Sequence, residues 1–185
     1  MANFIDLASR EAQGNLQIVV ETPQGSGAKI KYNPLLETFE LQRFIVSGGY
    51  PYGGYPYDWG FVPGTLAADG DPLDAMVIYE GHTWPGVIIP SVSIAVLKLN
   101  EAKAGELQTR QNDRVIAVPV ADLARGTRPE LTPEMRARLE QFFVSTGQLA
   151  NKQISIQGWG NEGEATEVVA KAAQSYAARR GRASG

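Results

Sequence analysis

Three carboxylates fall within six residues in Asp69-Gly70-Asp71-Pro72-Leu73-Asp74-Ala75. Gly70 and Pro72 make the segment a turn rather than a helix or a central strand. Two unit charges about 4 Å apart repel by about 4 kcal/mol at an effective dielectric near 20, so a converging trio calls for a cation among them. A divalent ion is the obvious choice; splayed, solvated carboxylates are the ordinary alternative. The apolar run Met76-Val77-Ile78 follows at once and reads as a buried strand, whose mouth could hold the trio rigidly.

The elements that must position this turn are those of one domain spanning 1–185, with 43% apolar residues, enough for a single core. Seventeen basic and 20 acidic residues leave a formal charge of -3, so no general electrostatic case exists for nucleic acid or an anionic membrane. Phosphate chemistry, if present, must be local. Cysteine is absent, which excludes disulfides and thiolate metal sites. The first residues carry neither a basic n-region nor an apolar h-region, and no run approaches the roughly 18 apolar residues of a membrane span. The expectation is a cytoplasmic protein.

Strands are predicted at Leu16 to Thr22, Lys29 to Tyr32, Phe39 to Val46, Ala75 to Tyr79, Val87 to Leu99, Arg114 to Val120 and Ile154 to Trp159. Pro119 marks an edge or a strand end. Gly48 to Tyr57 repeats Gly-Gly-Tyr-Pro-Tyr twice, a loop armed with phenols that leads into Asp58-Trp59-Gly60-Phe61. Glu101 to Asp113 reads as a polar loop or exposed hairpin. Thr132-Pro133-Glu134 opens a helix that Gly147 would stop, and Glu164 to Arg180 forms a second, with Arg179 and Arg180 at the negative end of its dipole. Short antiparallel strands followed by two helices favour a mainly β, α+β fold, a small barrel with helices outside.

These residues carry a resemblance. The acidic turn is similar to the signature of the family I inorganic pyrophosphatases. Glu21-Thr22-Pro23, Ile30-Lys31-Tyr32, Gln42-Arg43-Phe44, Tyr55-Pro56, Pro85-Gly86, Val96-Leu97-Lys98, Gln141-Phe142-Phe143 and Gly158-Trp159 follow in the family's order. The resemblance implies an OB-like five-stranded β-barrel with two flanking C-terminal helices, assembled as a hexamer. It also implies hydrolysis of pyrophosphate to two phosphates with Mg2+, or Mn2+ in its place. By similarity Asp69 and Asp74 are metal ligands and Asp71 is both ligand and general base. Glu101 and Asn112 stand at the opposing metal positions, and Glu21 supports the metal-water shell. Lys31, Arg43, Tyr55, Trp59 and Arg114 are the expected substrate contacts. Oxygen-only ligation suits magnesium, and a guanidinium fork suits phosphate.

The departures are specific. A family Glu two residues after the lysine falls on Asn33; a phenol becomes the indole of Trp59; Asp becomes Glu101 and Asn112; Lys becomes Arg114; and a Tyr-Lys pair aligns with Thr146-Gly147. Lys152 and the duplicated aromatic loop, with Tyr50, Tyr52 and Tyr57, are candidate replacements for the lost phosphate contact. Asp113 could replace Asn112 only through a bulge or loop. His82 sits in a turn with nothing pointing to a triad, and Gln24 to Lys29 lacks the spacing of a phosphate loop. Three readings are open: a divergent pyrophosphatase, a hydrolase of another phosphoanhydride or phosphate ester, or a weakened descendant that binds an anion or a partner.

Overall fold

The computed structural model describes residues 3–45, 53–106 and 108–183. Its strands are β1 (Leu16–Thr22), β2 (Ala28–Asn33), β3 (Thr38–Phe44), β4 (Asp58–Val62), β5 (Leu73–Val77), β6 (Ile88–Lys103), β7 (Arg110–Gln111), β8 (Arg114–Pro119) and β9 (Lys152–Gly160). The helices are α1 (Val120–Ala124), α2 (Pro133–Leu149) and α3 (Glu162–Ala183), with a 3-10 turn at Phe4–Asp6. Among the described residues, no helix is long and apolar enough to cross a membrane.

Five strands close into a ring in the order β1-β4-β5-β8-β6, shut by pairing of β6 with β1. The 16-residue β6 is the hub. One of its edges pairs β1 and then β9, the other β8 and then β7. The hairpin β2–β3 stands apart as a two-stranded sheet. The expected barrel with flanking helices is therefore present. Three expectations need correction. The ring is not wholly antiparallel, because β5 runs parallel to β8. A third, five-residue helix, α1, continues directly from Pro119, which ends β8. The fourth strand, Asp58–Val62, follows the aromatic loop where only a continuation of irregular chain was expected.

Alternate residues of the ring strands serve two cores, as the twofold strand repeat requires. Ala75, Val77, Val115 and Ala117 join Leu16, Ile18 and Val20 beneath Val169 and Ala172 of α3. Met76, Ile116, Leu97 and Leu99 join Trp59 beneath Leu139, Phe142 and Phe143 of α2. Covered on both faces, β4 and β8 are buried at every residue, which explains their lack of polar alternation. Gly60 is obligatory in β4: a Cβ there would penetrate the carbonyl oxygen of Val19 on β1. The hydroxyl of Thr132 accepts the Met135 N–H at 3.3 Å and Pro133 takes the first turn of α2, as the sequence predicts. Asn161 and Glu164 cap α3 reciprocally, at 3.0 and 2.8 Å.

Candidate active site

A cleft of about 330 Å3 opens at the mouth of the barrel. All eleven residues expected at a site line it: Glu21, Lys31, Arg43, Tyr55, Trp59, Asp69, Asp71, Asp74, Glu101, Asn112 and Arg114. They come from β1, the β2–β3 hairpin, β4 and the segment before it, β5 and the turn before it, β6, and β8 with the residue linking β7 to it. Thr146, Gly147 and Lys152 line it too. Asn33 is not among the lining residues. Its side chain instead donates to Glu40 at 3.0 Å and accepts the Leu35 N–H at 3.0 Å, tying the hairpin turn. Tyr50 and Tyr52 lie outside the described residues, and Tyr57 packs against the α2 core.

The acidic turn holds its carboxylates apart. β5 begins at Leu73, two residues earlier than the sequence predicts, where Leu73 pairs with Val62 of β4 and its N–H donates to Thr65 Oγ1 at 2.9 Å. Asp74 is thus a strand residue facing the cleft, paired across the ladder with Phe61. Asp69 accepts the backbone N–H of Asp71 at 3.1 Å and the amide of Asn112 at 2.8 Å. Asp71 is ion-paired with Lys31 at 2.7 Å, and Asp74 with Arg114. Among the described residues no three acidic or imidazole side chains converge; Asp71 and Asp74 are each met by a protein cation and Asp69 by the Asn112 amide. Among the described residues Asp69 alone of the three has no ion pair; burial pushes its carboxyl up, and the neighbouring Asp74 and Asp71 add to the effect. Asp69 and Asp71, both hard oxygen donors, also line a second hollow of about 150 Å3 that adjoins the cleft. That donor set fits a hard dication.

Opposite the turn lies a wall of N–H donors. Lys29, which the sequence reading passed over, pairs with Arg43 across β2–β3, and both line the cleft. Its spacing of two from Lys31 on a strand puts the two ammonium groups on one face, and that alternation was the available signal. Burial pushes the Lys29 ammonium down to about 8, against the pull of Asp74. Lys31 is more open, with its side chain 39% exposed; burial would lower it, but the bond to Asp71 outweighs this and holds it above the usual lysine range. Glu21 is buried and accepts the Tyr32 N–H at 2.8 Å; burial pushes it up to about 7. Burial likewise raises the Tyr55 hydroxyl, so the phenol stays protonated. Arg43 Nε, Trp59 Nε1 and Arg114 Nε are buried donors with no acceptor among the described residues. Three such donors around one cleft are unusual in a folded protein.

The far wall is cationic and aromatic. The guanidinium of Arg114 lies 5.3 Å from the Trp59 ring and 5.9 Å from that of Phe143. It binds Asp74 and the Asn112 carbonyl, and stands 3.7 Å from Glu101. Lys152 holds Glu101 at 2.7 Å. Burial alone would raise the Glu101 carboxyl, but Lys152 and Arg114 bring it below the usual range. Asp113 does not replace Asn112: it is buried outside the cleft lining and accepts from Gln111 at 2.7 Å and from the Leu99 N–H at 3.3 Å. Gly147 has a steric reason, since a Cβ there would overlap Ile154 of β9.

A barrel mouth that sets carboxylates against unspent N–H donors is a site for a compact anion rich in acceptor oxygens. The comparisons with known proteins agree. The family model for inorganic pyrophosphatase matches residues 18–177. An inorganic pyrophosphatase of Nostoc sp. is 33% identical over 178 residues, covering 93% of this chain and 99% of the relative. One from Methanosarcina mazei is 30% identical, covering 86% of this chain and 90% of that one. The crystal structure of inorganic pyrophosphatase from Thermus thermophilus superposes with a TM-score of 0.80 at 27% identity, over 95% of this chain and 99% of the other. This chain belongs to the family I inorganic pyrophosphatases, as a divergent member.

Proposed function

We propose that this protein hydrolyses inorganic pyrophosphate to two phosphates, with Mg2+ as its divalent ion and Mn2+ as an alternative. The observation that carries the reading is the set of three buried donors without acceptors, Arg43 Nε, Trp59 Nε1 and Arg114 Nε, in residues lining the cleft that also contains the acidic turn. Pyrophosphate supplies the missing acceptor oxygens. Lys29 and Arg43 bind one phosphoryl group, Lys29 as a point charge and Arg43 through its fork. The Tyr55 hydroxyl and the Trp59 indole N–H add neutral donors.

Asp69, Asp71 and Asp74 would hold a divalent ion, with Glu101 and Asn112 on the opposing wall and Glu21 supporting from behind. When bound, that ion neutralises phosphoryl charge and makes water acidic enough to ionise near neutral pH. Asp71, through the carboxylate oxygen not held by Lys31, takes a proton from the attacking water, whose oxygen forms a bond to one phosphorus as the bond from that phosphorus to the bridging oxygen breaks. The leaving phosphate keeps that electron pair, and Arg43 and Lys29 meet its charge. Arg114 keeps Asp74 and Asn112 in place through its terminal nitrogens, which leaves its Nε–H for a pyrophosphate oxygen.

Phosphate release from pyrophosphate, with and without Mg2+ or Mn2+, beside a panel of nucleotides and phosphate esters, tests this. Turnover of pyrophosphate that requires the ion and falls in Arg43→Met supports it. Turnover of organic phosphates alone overturns it. A cytoplasmic homo-oligomer, a hexamer by family resemblance, completes the reading. Exposed Leu35, Leu36, Leu41, Phe44 and Trp84 support association, and light scattering on purified protein measures it.

A further inference from the structure

We infer that Lys152 is a built-in cation that takes the place of a divalent ion on the far wall, so that the cleft binds its metal on the acidic-turn side alone. This rests on the acidic turn being a metal site. Glu101 is 8% exposed and receives Lys152 at 2.7 Å and Arg114 at 3.7 Å. Arg114 is shared with Asp74. The single charge of Glu101 is therefore already met by Lys152, with Arg114 beside it, which leaves no net negative charge on this wall for a dication.

The neutral partner is spent as well. Asn112 is 3% exposed, its carbonyl oxygen engaged by Arg114 and its amide donating to Asp69 at 2.8 Å. The only oxygen it could offer a metal is thus turned to a guanidinium, which is itself fixed against Trp59 and Phe143. A dication placed beside Glu101 would face two positive charges, of which the buried Arg114 guanidinium is poorly screened by water. Lys152 lies where the two hollows meet, lining both. It reaches Glu101 from β9, 51 residues away in sequence, and the adjoining ladder pairs Glu101 with Ile154 and Lys103 with Lys152, so its origin is rigid.

Calorimetric titration with Mn2+ on the substrate-free protein reads this directly, without turnover. Lys152→Met should gain a further Mn2+ per chain or tighten the weakest site by at least about tenfold, as expected from removing one charge beside a dication. Lys152→Arg should titrate as the wild type, and Glu101→Gln in the Lys152→Met background should abolish the gain. Lys152→Gln, which keeps a hydrogen-bond donor to Glu101 without its charge, should reproduce Lys152→Met and replaces it if that variant misfolds. Mn2+ binding that is unchanged in the uncharged variants overturns the inference while leaving the acidic turn as a metal site. A wild type that takes up no Mn2+ overturns the metal reading of the turn itself.

Discussion

The Nζ of Lys31 lies 2.7 Å from Oδ2 of Asp71, so the hairpin that carries the cations closes directly onto the turn that carries the carboxylates. The pair is open to water, with side chains 39% and 57% exposed, and an exposed ion pair contributes about 0–1 kcal/mol. Its significance is therefore positional. Asp71→Asn should cut kcat for pyrophosphate by about 10²–10⁴-fold, the usual contribution of a general base, while leaving thermal stability nearly unchanged. Phosphate-release kinetics and melting curves on one preparation check both halves.

Lys29 and Lys31 share a strand face but not an environment. Lys29, ladder partner of Arg43, should matter more for substrate than Lys31, whose ammonium is held by Asp71. Lys29→Met is expected to raise KM by about tenfold or more, and Lys31→Met by a smaller factor. Steady-state kinetics at saturating Mg2+ rank the two, and the reverse order would return the substrate role to Lys31.

Glu21 gives the metal-free protein a pH dependence of definite sign. Its carboxyl is raised from 4.5 to about 7, so the folded state holds the proton more firmly than the unfolded chain. The resulting stability is fully present below about pH 4.5 and is lost as pH rises through about 7, a change on the order of 3 kcal/mol by linkage. Glu21→Gln keeps an acceptor for the Tyr32 N–H and should lack that slope. Urea unfolding of EDTA-treated protein at pH 5 and pH 8 should find the variant more stable than the wild type only at the higher pH.

Gly147→Ala should destabilise the fold although alanine is the better helix former. The gain in helix propensity is about 1 kcal/mol, whereas the new methyl overlaps Ile154, and overpacking costs about 1–3 kcal/mol. Adding Ile154→Ala should make the double variant less destabilised than the sum of the single changes, which a double-mutant cycle in denaturant measures.

What could be read from the chain was local. The β-branched runs of β1 and β8 and the Thr132-Pro133 helix start follow from side-chain shape and capping, and all are observed. β4 stayed hidden because Asp58 and Gly60, both disfavoured in strands, interrupt Trp59, Phe61 and Val62; Gly60 is there to admit the Val19 carbonyl from another strand. The parallel pairing of β5 and β8 joins segments nearly forty residues apart, which no local pattern encodes. In the site, residue types identified the acidic turn, but the ranking of Lys29 over Lys31 depends on which ammonium Asp71 holds. The capture of Glu101 by Lys152 depends on the register of β6 with β9. Asn112, read as a weakened metal ligand, is in the fold a bridge between Asp69 and Arg114.

The central place of β6 also sets an order of events during synthesis. β1 emerges early, yet its second edge remains unpaired until Ile88 to Ser91 arrive, and β5 waits for β8. Until then the nascent chain carries apolar strands with free edges, and such pairings across long sequence separation are slow to form. The cleft is completed later still, when β9 brings Lys152 to Glu101. A chain released before about residue 150 would hold the whole acidic turn and the Lys29–Arg43 hairpin but neither a finished sheet nor a finished site. It should be found among aggregates and proteolysis products rather than as a partly active enzyme.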